Sequence, residues 1–101
     1  MMPHFVYILY SESIDKFYKG QTDDIHGRLI RHNNGYESAT RNGIPWILLW
    51  KIEKPTRSSA MILEQKLKNL SKKRLLEFLL KYSEGVEGPD EFFLLEKLSG
   101  C

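Results

Sequence analysis

Apolar residues come in short runs along this chain, and their period changes from strand-like to helix-like and back. Residues 4–10 and 17–22 are rich in Phe, Val, Tyr and Ile and are bounded by turn formers, which predicts two strands. The polar stretch from Ser11 to Lys16 between them suits an antiparallel hairpin. With Tyr10 opposite Phe17, Tyr7 falls opposite Gly20 and Leu9 opposite Tyr18. Tyr7 and Tyr18 then point to the same side of the sheet, whereas a slip of one residue would separate them. In this register Gly20 leaves open space beside the Tyr7 ring, where a substrate could approach. Asp23 and Asp24 then offer cap oxygens for a helix that runs to about Asn33 and stops at Asn34-Gly35. Ile25 and Leu29 mark its buried face, and Arg28 and His32 share a neighbouring one.

Residues 35–45 contain Gly35, Gly43 and Pro45 among polar neighbours and are expected to form a loop. Trp46 to Ile52 is nearly continuous in apolar residues and reads as a third, central strand. Pro55 to Ser59 ends that strand and caps a second helix with Ala60, Leu63, Leu67 and Leu70 as its apolar stripe. Glu64 and Lys68 sit beside the stripe, one turn apart. Ser71 caps a third helix that buries Leu75, Leu76, Leu79 and Leu80, and Gly85 and Gly88-Pro89 break the pattern. Phe92 to Leu98 is a short amphipathic helix returning to the core. The pattern is α+β, in the order β-β-α-β-α-α plus a short C-terminal helix, with no repeat and no linker. Residues 1–101 are expected to form one domain.

Composition narrows the class without naming a function. Hydrophobic residues make up 42% of the chain and charged residues 28%, ordinary values for a globular domain. No apolar run reaches the roughly 18–20 residues that a membrane span needs. Met1-Met2-Pro3-His4 lacks the basic flank of a secretory signal, so a cytoplasmic location is expected. The single cysteine, Cys101, rules out a disulfide framework or a cysteine-rich zinc site. A net charge of +2 argues against holding DNA by charge alone. The basic residues are nevertheless uneven. Lys66, Lys68, Lys72, Lys73, Arg74 and Lys81 crowd one segment, and Glu84, Glu87, Asp90 and Glu91 the next. Taken alone, that lysine cluster is as well read as a solvated helix face.

The ordered motifs add more. Phe5-Val6-Tyr7, then Tyr18-Lys19-Gly20 followed by Gln21-Thr22, then Arg28, His32, Asn33 and Gly35, then Thr40 and Pro45-Trp46, then Glu64 and Lys68 follow one another across residues 4–74. In this order they resemble the GIY-YIG endonuclease superfamily, in particular its small single-domain bacterial members similar to the N-terminal nuclease domain of the excinuclease C subunit. The first motif lacks its Gly-Ile, and Lys19 replaces the apolar centre of the second. Residues 75–101 read as a helical extension.

The resemblance implies a three-stranded antiparallel sheet flanked by helices and a metal-dependent endonuclease that hydrolyses DNA phosphodiester bonds in branched or damaged structures. It implies catalytic roles for Tyr7, Tyr18, Arg28, His32 and Glu64. Glu64 would hold one divalent ion, Mg²⁺ or Mn²⁺, since a single carboxylate with waters suits a hard cation. Arg28 would offer its fork to the scissile phosphate. Either tyrosine could orient or deprotonate the attacking water, with a nearby cation lowering its pKa. Lys19, Gly20, Thr22 and Lys68 are substrate-contact candidates. Tyr36 and Arg41 could touch nucleic acid, whereas His4 and His26 fit no ligand spacing. Trp46 and Trp50 are expected in the core and on the sheet surface rather than as base-stacking platforms. DNA is the expected partner, alongside a repair protein, with no membrane. Two other readings compete: a nucleic-acid-binding module that kept the fold and lost catalysis, and a protein-interaction domain.

Overall fold

In the computed structural model, which describes residues 3–100, strand β1 (His4–Ser11) is the pivot of the fold. Met1, Met2 and Cys101, which entered the readings of the N-terminus and the cysteine, lie outside the described residues. Val6 to Ser11 are all buried, because β1 has a strand on each side and helices on both faces. Its alternation divides the interior. Val6, Ile8 and Tyr10 enter one cluster, and Tyr7 and Leu9 enter the other.

Strand β2 (Lys16–Thr22) pairs antiparallel with β1 in the expected register, with Tyr7 opposite Gly20, Leu9 opposite Tyr18 and Tyr10 opposite Phe17. Strand β3 (Ile47–Lys54) pairs with the other side of β1, so the sheet order is β2-β1-β3. The third strand is therefore an edge and not the centre. Its apolar run has another cause. A register shift between Ile8 and Leu9 sends both Leu49 and Trp50 into the first cluster. The outer edge is also covered: Trp50 bridges Val86, and the Glu87 N–H donates to the Leu49 carbonyl at 3.1 Å. Trp46 lies just outside the strand. Both tryptophans are core residues, at 6% and 1% exposure, and neither lies on the sheet surface.

The helices follow the cap signals. Helix α1 (Ile25–Asn33) starts at Asp24, whose carboxylate accepts from the Gly27 N–H at 3.0 Å. Helix α2 (Arg57–Lys68) begins with a reciprocal capping box between Thr56 and Ser59. Helix α3 (Lys72–Lys81) is capped by the Ser71 hydroxyl, which accepts from the Arg74 N–H. Leu75, Leu76 and Leu79 of α3 are buried as expected, whereas Leu80 is only half-buried. Gly88-Pro89, read as a break, separates α3 from helix α4 (Pro89–Leu98) and also starts the latter, because proline's missing N–H costs nothing in a first turn. Ala60, Leu67, Leu75, Leu76, Leu79 and Leu95 from α2, α3 and α4 close the first cluster, while Ile25 and Leu29 of α1 and Trp46 close the second.

Candidate active site

The buried centre of the site is a chain of hydrogen bonds on the α1 face of the sheet. The Tyr7 hydroxyl lies 3.0 Å from His32 Nε2, and His32 Nδ1 lies 2.8 Å from the Thr40 hydroxyl. Thr40 donates its own proton to the Glu37 carbonyl at 3.4 Å, so its oxygen accepts the Nδ1–H. In the tautomer this favours, Nε2 is bare and Tyr7 donates to it. His32 and Thr40 are 0% and 1% exposed, which makes these bonds costly to break. Trp46 holds the chain in place by donating Nε1–H to the Thr40 carbonyl at 2.6 Å. Asn33 ties the Trp46 backbone to α1, accepting from its N–H and donating to its carbonyl.

Gly20 serves this centre differently from the sequence expectation. A Cβ there would stand 2.6 Å from the Tyr7 oxygen and 3.0 Å from the Tyr18 ring. The space over Gly20 is filled by Tyr7 itself, which explains why a side chain is absent and leaves no opening for substrate.

Tyr18 stands at the rim. Its ring packs 4.8 Å from the His32 ring and 6.2 Å from that of Tyr7. Among the described residues no buried side-chain polar atom lacks a partner, and the Tyr18 hydroxyl has no protein partner, so that hydroxyl faces solvent. Strand alternation puts Tyr18, Gly20 and Thr22 on the α1 face and Lys19 and Gln21 on the α2 face. Helix α2 packs against β2 on that face. Gln21 Nε2 donates to Glu64 Oε1 at 3.3 Å, and Lys68 Nζ lies 3.8 Å from Glu64 Oε2. Lys19 is half-buried, and burial followed by the Lys68 charge lowers its pKa. Thr22 is 8% exposed, and its hydroxyl both accepts from the Asp24 N–H and donates to the Asp24 carbonyl.

Next to Gln21 and Thr22 opens a polar cavity of about 250 Å³, lined also by His4, Asp23, Arg28 and Arg57. Arg57 is a functional candidate missed in the sequence. It was visible only as part of the α2 cap, and no spacing relates it to Arg28.

The charges act on the phenols together. Burial raises the Tyr7 pKa most and Tyr18 adds to it, while Arg28 opposes and Glu64 and Glu37 reinforce the rise. Burial also raises Tyr18, with Glu64 as the strongest charge acting on it and Arg28 opposing. Arg28 and Glu64, from two different helices, are thus both within electrostatic reach of both tyrosines. Burial lowers the His32 pKa and keeps the ring neutral. Among the described residues no three His, Cys, Asp or Glu side chains form a metal cluster. Glu64 is a hard, half-buried oxygen donor. Such a donor fits a Mg²⁺-like cation that keeps its waters and takes further ligands from a phosphate.

Two comparisons with known proteins bear on the family and the fold. The sequence model of the GIY-YIG catalytic domain matches residues 3–77. The solution NMR structure of the UPF0213 protein BH0048 from Bacillus halodurans is similar at 32% identity, with a TM-score of 0.52, over 89% of this chain and 92% of that one. Among curated proteins none matches. With three quarters of its length under that model and the sheet and helices it requires, the chain belongs to the GIY-YIG family.

Proposed function

We propose that this domain is a metal-dependent endonuclease that hydrolyses phosphodiester bonds in DNA, acting at branched or damaged structures. One observation supports the reading: the charges of Arg28 on α1 and Glu64 on α2 both act on Tyr18 of β2 and on Tyr7, which is bonded into the buried Tyr7–His32–Thr40 chain. Hydrolysis needs an oriented water, neutralised phosphoryl oxygens and a stabilised leaving oxygen. Tyr18, whose hydroxyl faces solvent, orients or deprotonates the attacking water. Arg28 binds the phosphoryl oxygens with its planar fork. Tyr7 has its proton committed to His32, so it fixes the floor of the site. Lys19 and Lys68 steer the strand along the β2 edge. A Mg²⁺ or Mn²⁺ ion held by Glu64, when bound, supplies positive charge at the phosphate and cancels the carboxylate's upward pull on the Tyr18 pKa.

A second reading, a binding module without cleavage, is favoured by one detail. Both Glu64 oxygens already have protein partners, in Gln21 and Lys68. A titration of Mg²⁺ and Mn²⁺ with flap, fork, nicked and plain duplex DNA separates the two. The nuclease reading expects metal-dependent cleavage that falls by roughly 10²–10³ in Arg28→Ala, and comparably in Glu64→Ala. Tight binding with no cleavage at any metal concentration would establish the module instead.

A further inference from the structure

The end of α1 carries a feature that the hydrolytic site does not use. Gly35 adopts a left-handed φ of +78°. Its N–H donates to the His32 carbonyl at 3.3 Å, and the Tyr36 N–H reaches back to the Arg31 carbonyl at 3.1 Å. This helix cap brings together the side chains of Arg31 and Tyr36, positions whose contact is commonly apolar. Here the Arg31 guanidinium lies over the Tyr36 ring, 5.8 Å from its centroid, and its Nε donates to Glu37 at 3.1 Å. Arg41 adds a second cation by donating Nε–H to the Gly35 carbonyl at 3.2 Å. Tyr36 nevertheless stays 68% exposed.

The same loop turns its inner side to the site. The Glu37 carbonyl receives the Thr40 proton, Thr40 holds His32, and the Glu37 charge is felt by Tyr7 and Tyr18. An exposed ring, oriented by one arginine and flanked by another, therefore stands one residue from groups that address the active site. Phe93 is more exposed, at 73%, but it sits on α4 beside Asp90, Glu91 and Glu96, where a polyanion would be repelled.

We propose that Tyr36 is a stacking site for one unpaired base, with Arg31 holding the ring from its other side and Arg41 beside it for the adjoining phosphate. The substrate presented to Tyr18 and Arg28 then carries a single-stranded segment. This rests on the nucleic-acid part of the reading above and not on cleavage. An aromatic face accepts any unstacked base, whereas the bases of an intact duplex offer none.

The test is binding in EDTA by the full chain, using a flap DNA with 2-aminopurine in its unpaired arm and a plain duplex. Tyr36→Ala is expected to weaken flap binding about 5- to 150-fold, the range measured for loss of one stacked base. It is also expected to abolish the 2-aminopurine quenching and to leave duplex binding unchanged, while Tyr36→Phe behaves as the native chain. Equal flap binding by Tyr36→Ala, or an equal loss on flap and duplex, would overturn the stacking site. Native protein that binds neither DNA would overturn the nucleic-acid reading as well. Tyr36-dependent flap binding without cleavage in Mg²⁺ would sink the nuclease alone and support the stacking site.

Discussion

His32 shows how one residue couples stability to the proposed chemistry. Its ring is fully buried between the Tyr7 hydroxyl and the Thr40 hydroxyl, and that burial favours the neutral form. Burial lowers its pKa below the ordinary imidazole value of 6.5, with Arg28 and Arg31 acting in the same direction and Glu37 opposing. The unfolded chain therefore binds a proton more readily than the native one as pH falls below about 6.5. The stabilisation is complete above that value and is lost as pH drops toward the lowered native pKa. Its slope is at most about 1.4 kcal/mol per pH unit for one group. Asp15, whose pKa is lowered by its bonds from Lys72 and Tyr10, titrates below 3.8 and does not enter this window. Denaturant midpoints between pH 7.5 and pH 5 should fall in the native chain, and should fall less in His32→Asn. Equal slopes in the two proteins would show that His32 is not the buried neutral group described.

Elements explain which parts of the fold and site were legible in the sequence. The hairpin register could be read because Tyr10–Phe17 pairing fixes every later partner, and period two leaves no intermediate choice. Caps were legible at Asp23-Asp24, within Pro55 to Ser59 and at Ser71, and Asp24, Thr56 and Ser71 fill the role, because each side chain acts on backbone within three residues. The place of β3 was not legible. An apolar run records total burial, and the Val86 segment that buries its outer edge lies far along the chain. Gly20 was read as opening space for a substrate, and Tyr7 fills that space instead, because which neighbour occupies it depends on the Tyr7 rotamer. Arg57 was missed because α2 meets Arg28 only after the sheet edge brings both to one cavity. Among the described residues neither arginine has an ion-pair partner, which suits both to phosphate. Arg57→Ala should weaken DNA binding without altering sequence preference. It should also reduce the slope of log K against log salt by about 0.7–0.9, the value for one phosphate contact. An unchanged slope would place Arg57 off the DNA path.

At the scale of the whole molecule, the catalytic-domain match ends at residue 77, yet the core does not. Residues 75–101 read as an extension in the sequence because no family pattern marks them. In the structure, Leu95 of α4 is fully buried in the same cluster as Val6, Ile8, Leu75 and Leu79. Trp50 also donates its indole N–H to the Tyr82 carbonyl at 2.8 Å, joining β3 to the end of α3. The Val86 bridge continues that seam and protects the β3 edge that the sheet would otherwise expose. The C-terminal segment therefore stabilises the sheet that positions Tyr7 and Tyr18, although none of its described residues lies in the site. A domain of this size has only about 5–15 kcal/mol of net stability, so a single core truncation is a large fraction of it. Leu95→Ala should cost about 2–5 kcal/mol by denaturant unfolding. The loss should appear as one cooperative shift seen equally by Tyr18-side and Trp50-side probes. A second, earlier transition confined to α4, with the sheet's midpoint unmoved, would mean that the helix docks without supporting the site.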